Sequence, residues 1–66
     1  MSIQELARYY LAQGKTVYAA GVMLNLIEKE PSAENLLLLA EIYAKQGLFD
    51  KSAALHLRVL KGELRK

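Results

Sequence analysis

His56 is the only imidazole in the chain, so general acid–base work has one natural candidate. It falls on an apolar helical stripe, where a packed or end-exposed structural histidine is the simpler reading. There is no cysteine and no second histidine, which leaves neither a thiol nucleophile nor a metal-binding set. Ser2, Thr16, Ser32 and Ser52 carry hydroxyls, but each has a capping or packing role and none is paired with a base. Glu28 and Glu30 stand two residues apart and point to different sides of a helix. The glycines lie 7 to 26 residues from one another, so no phosphate-cradling loop exists. The residues predict a chain without catalysis, cofactor or metal.

Composition narrows the class further. The chain has 66 residues, 53% apolar and 24% charged, which excludes a disordered tail and predicts a single domain. The net charge of +2 is too mild to suggest a nucleic-acid binder. The longest unbroken apolar run, Leu36 to Ala40, is far too short for a bilayer, so membrane insertion is not expected. No basic-then-apolar leader opens the sequence, and the expected location is cytoplasmic. Met1 followed by a helix cap at Ser2 suggests an intact start.

Four helices must position these residues. Thirteen leucines and nine alanines favour helix, and no segment alternates with a strand's period of two. Ser2-Ile3-Gln4-Glu5 reads as a capping box opening the first helix, which Gly14 closes. Thr16 is expected to cap a second helix running to about Lys29, before Pro31. Ser32 is expected to cap a third, closed by Gly47, and Asp50 a fourth, ending near Gly62.

The chain also repeats itself. Shifted by 33 residues, Leu6, Ala7, Tyr10, Gln13 and Gly14 land on Leu39, Ala40, Tyr43, Gln46 and Gly47. Ala20 meets Ala53, Leu24 meets Leu57, and Glu30 meets Glu63. Such a period signals stacked supersecondary units. In the first unit, Leu6, Tyr10 and Gln13 form one helical stripe. Small Ala7, Ala19 and Ala20 let two helices approach, and Met23, Leu26 and Ile27 continue the contact. The second unit is expected to repeat this packing with Leu39, Ala40, Tyr43, Phe49, Ser52, Ala53, His56, Val59 and Leu60.

In these residues the chain resembles the tetratricopeptide repeat family. Leu6-Ala7-x2-Tyr10-x3-Gly14-x4-Ala19-x3-Met23-x7-Pro31 follows the family pattern, as does Leu36-x2-Leu39-Ala40-x2-Tyr43-x3-Gly47-x-Phe49. The pattern's leading Trp is replaced by Ile3 or Leu36, its late Ala by Leu26 or Val59, and its closing Pro is absent from the second unit. The resemblance implies an all-α fold of four helices, two antiparallel helix-turn-helix hairpins stacked as a short α-solenoid. Repeat one would span 1–31 and repeat two 32–66.

It also implies work as a protein-binding adaptor or assembly chaperone, similar in size and apolar character to small chaperones of bacterial secretion machines. The first helix of each pair would line a groove for a partner helix or peptide, here Gln4, Arg8, Leu11, Ala12, Leu37, Glu41, Ala44 and Lys45, with Leu11, Leu37 and Ala44 as an apolar strip. The lysine, asparagine and arginine set that clamps acidic chaperone C-termini is not present, so that function is not carried over. A second expected surface combines Val17, Tyr18 and Leu24 on the second helix with Ala54 and Leu57 on the fourth, and a bare end at Leu55, His56, Val59 and Leu60. Another protein chain is the expected partner, as a homodimer or within a heteromer. The alternative function is a self-associating structural module. The basic cluster of Arg58, Lys61, Arg65 and Lys66 is read as complementing a helix C-terminus rather than binding nucleic acid.

Overall fold

The computed structural model describes residues 1–62. Glu63 of the repeat match and Arg65 and Lys66 of the basic cluster lie outside the described residues. Among the described residues four helices form: α1 (Ile3–Ala12), α2 (Thr16–Lys29), α3 (Ala33–Lys45) and α4 (Phe49–Lys61). The fold is all-α, two helical hairpins packed side by side. α1 packs on α2, α2 on α3 and α3 on α4, while α1 and α3 meet only narrowly.

Local chemistry fixes the helix ends. Both bonds of the capping box are present: the Glu5 N–H donates to Ser2 Oγ at 3.1 Å, and the Ser2 N–H donates to Glu5 Oε1 at 2.9 Å. Ser32 Oγ accepts from the Asn35 N–H at 3.1 Å and caps α3. Gly14 and Gly47 both sit at φ 78°, a left-handed conformation that side chains resist. After each, the N–H of the next residue reaches back across the turn: Lys15 donates to the Tyr10 carbonyl and Leu48 to the Tyr43 carbonyl, both at 2.9 Å.

These turns correct two expected caps. The residue after each glycine is already the N-cap of the next helix, so Lys15 and Leu48 hold that position and neither provides a side-chain cap. Thr16 and Asp50 are displaced into the first turn. Thr16 Oγ1 instead accepts from Gln46 Nε2 at 3.2 Å, tying the two turns together. Asp50 still complements the positive end of α4.

The two hairpins reuse one contact with different chemistry. In the first, the Tyr18 ring leans on Tyr10 with centroids 5.6 Å apart. In the second, at the same repeat positions, Lys51 Nζ lies 5.6 Å above the Tyr43 ring.

Burial centres on α3, which has a neighbour on both sides and buries Asn35, Leu36, Leu38, Leu39, Ala40 and Ile42. Ala7, Ala19 and Met23 complete the fully buried set from the first hairpin. The small residues at Ala7 and Ala19 allow α1 and α2 to approach closely.

One expected stripe is corrected. Phe49, Ala53, His56 and Leu60 do not enter the core, because α4 turns Ser52, Leu55 and Val59 toward α3 instead. The molecule is a slab of 34 × 26 × 13 Å. Among the described residues no helix is long and apolar enough to cross a membrane.

Gly21 sits mid-α2, and a methyl group placed on it would meet nothing within 4 Å, so it holds no turn and relieves no clash. Gly21→Ala should stabilise the fold by about 0.5–1 kcal/mol, while Gly47→Ala should cost about 1–2 kcal/mol. Urea denaturation followed by far-ultraviolet circular dichroism checks both signs.

Candidate functional site

The face shared by α1 and α3 is organised by a polar node. Asn35 is 1% exposed, yet every polar end of its side chain is satisfied. Its Oδ1 accepts from Gln4 Nε2 at 2.7 Å, and its Nδ2 donates to the Glu30 carbonyl at 2.7 Å. One side chain therefore joins α1, the end of α2 and the start of α3. Sequence reading missed it. The available signal was a polar residue four positions before Leu39 and seven before Ile42, on the stripe α3 buries.

Beyond that node, α1 and α3 leave an open depression of about 390 Å³, lined by Arg8, Leu11, Ala12, Glu41 and Lys45. Arg8 Nη1 lies 3.6 Å from Glu41 Oε1 across it. Arg8 and Glu41 occupy the same position in the two repeat units, so stacking the units makes them neighbours. Opposite charges turn that proximity into attraction.

The eight residues expected in a groove divide here. Arg8, Leu11, Ala12, Glu41 and Lys45 come together. Gln4 is engaged by Asn35. Ala44 is half-buried, and Leu37 is exposed one turn before Glu41 without lining the depression. The expected apolar strip is thus interrupted, since Leu11 packs against the core and only Leu37 offers a large exposed apolar side chain.

The second expected surface also divides. On α2, Val17 is 74% exposed, and Tyr18 and Leu24 are exposed beside Gly21. On α4, Ala54 and Leu57 are exposed, and Leu60 is 80% exposed. Leu55 and Val59 are corrected: Leu55 is buried and Val59 packs against the core, because both face α3.

A smaller apolar hollow of about 160 Å³ was not expected. Ile3, Val22, Asn25, Leu26 and Lys29 line it, where α1 begins beside the second half of α2. Ile3 is the repeat counterpart of fully buried Leu36, but it lacks a covering neighbour and stays partly exposed.

Among the described residues no three His, Cys, Asp or Glu side chains cluster as a metal site would require. Comparison with family models, curated proteins and solved structures finds no match for this chain.

Asn35→Ala should destabilise the protein by about 1–2 kcal/mol, since it removes two side-chain hydrogen bonds, to Gln4 and to the Glu30 carbonyl. Glu41→Ala should cost under about 0.5 kcal/mol, because the Arg8–Glu41 pair is 59% and 48% exposed. Thermal denaturation of the two variants at low and high salt separates these effects.

Proposed function

We propose that this chain is a non-catalytic protein-binding module, a small tetratricopeptide-repeat-like adaptor or assembly chaperone that holds a helix or peptide of another protein. The observation that carries the reading is the ordering of exposed large apolar side chains along helix faces. Val17 and Leu24 lie two turns apart on α2 with Gly21 between them, and Leu37 stands on α3 beside the Arg8–Glu41–Lys45 depression. Large exposed apolar residues set among polar ones suit a partner surface, and an amphipathic helix matches that pattern.

The repeat supports the family reading. Two units with matching glycine turns, matching tyrosine contacts and juxtaposed equivalent positions are what a stacked-repeat architecture requires. The flattened shape supports a surface-binding role, because a slab with a short axis of 13 Å encloses little volume around a substrate. Arg8, Glu41 and Lys45 would set the orientation of a bound segment, and Leu37 and Leu11 would contact its apolar side.

A second reading, self-association through apolar faces, is favoured by the exposed stripe on α4. The two readings use different surfaces and are compatible.

Leu37→Glu should weaken binding of a partner purified with the wild-type chain by about tenfold or more, with the oligomeric mass unchanged. Titration calorimetry and light scattering provide the two readouts. Equal affinity for the wild type and the variant would overturn the assignment of this face.

A further inference from the structure

The 33-residue repeat allows one face of α4 to be compared with a face of α2 whose covering is known. Thr16, Ala20, Met23 and Ile27 lie on the side of α2 that α3 covers, where Thr16 bonds Gln46 at the end of α3. Met23 is fully buried and Ala20 nearly so. Their counterparts are Phe49, Ala53, His56 and Leu60. All four are exposed, Phe49 at 68% and Leu60 at 80%. The same stripe that α2 buries is therefore open on α4.

We propose that α4 of a second copy, running antiparallel across a two-fold axis, covers this stripe. The inference rests on the self-association reading and names its surface. α4 is self-complementary in that arrangement. Phe49 and Leu60 lie equally far from the midpoint of the stripe, as do Ala53 and His56. Antiparallel pairing thus sets Phe49 opposite Leu60 of the second copy at each end, and at the centre small Ala53 leaves room for His56.

Charge agrees with that direction. Asp50 at the start of α4 and Lys61 at its end project from the same flank of the stripe. A two-fold axis perpendicular to the helices brings Asp50 beside Lys61 of the other copy, twice per dimer. The opposed helix dipoles add in the same sense.

Head-to-tail stacking fits less well. There, α1 of the next copy would take the place α3 takes on α2. α3 meets that place with buried Leu38 and Ile42, whereas α1 has Glu5 and exposed Tyr9 at those positions. Glu5 would be desolvated against an apolar stripe. A closed pair avoids this cost. One helix pair about 20 Å long makes a small interface, so the dimer is a weak, concentration-dependent one.

Sedimentation equilibrium of the full chain, from micromolar to millimolar concentration, tests this directly. The expected result is a monomer–dimer equilibrium whose dissociation constant rises about tenfold or more in Leu60→Glu and stays unchanged in Leu24→Glu. Circular dichroism confirms that both variants fold. Asp50→Lys and Lys61→Glu should each weaken the dimer, and the double exchange should restore it.

Because the chain has no native cysteine, Phe49→Cys mixed with Leu60→Cys should cross-link faster than either variant alone. A chain that stays monomeric throughout overturns both the self-association reading and this surface. A dimer indifferent to Leu60→Glu, or one in which Phe49→Cys links preferentially to itself, leaves self-association standing and overturns this pairing.

Discussion

A buried amide whose oxygen and nitrogen are both hydrogen-bonded constrains much of this small fold. Asn35 must find partners for its side chain inside the protein, because water does not reach it. It finds them on α1 at Gln4 and at the end of α2 at the Glu30 carbonyl, while its own backbone N–H completes the cap of α3. Sliding α1 along α3, or lengthening the turn after α2, would orphan one of these groups. The relation between the two hairpins is thereby fixed by directional bonds, which apolar packing alone specifies less sharply.

That relation brings equivalent positions of the two units together. Arg8 and Glu41 are the clearest case: one repeat position occupied by opposite charges. The tyrosine contacts make the same point within each hairpin, since Tyr10 supports a ring at Tyr18 and Tyr43 a cation at Lys51. The geometry is shared between the units while the chemistry varies. The stacked arrangement keeps the slab's short axis at 13 Å. Most residues of α1, α2 and α4 therefore have one side in solvent, and the proposed recognition would use those faces.

The two ends of the slab are unlike. α1 presents Glu5 and Tyr9 where α3 presents Leu38 and Ile42, so the first end is partly polar. α4 presents Phe49 and Leu60 at its open side, which costs solvent exposure of large apolar surface. Under the proposed pairing, this asymmetry opposes open-ended stacking and favours a closed dimer through the α4 face.

The helices, their glycine turns, the capping box at Ser2 and the cap at Ser32 were legible from local pattern, because each depends on residues within one turn of each other. The pairing of the hairpins was legible too, through a repeat that places like positions side by side. Which of two adjacent apolar stripes α4 would bury was settled by packing between helices. Helical periodicity marks Leu55 and Val59, and it marks Phe49, Ala53 and Leu60 equally well; α3 lies against the first and leaves the second open. The tertiary structure likewise decided that Thr16 would serve Gln46 rather than cap α2, and that Asn35 would sit inside, bonded to Gln4. In both of these contacts the deciding partner lies about 30 residues away in the chain, beyond the reach of local pattern.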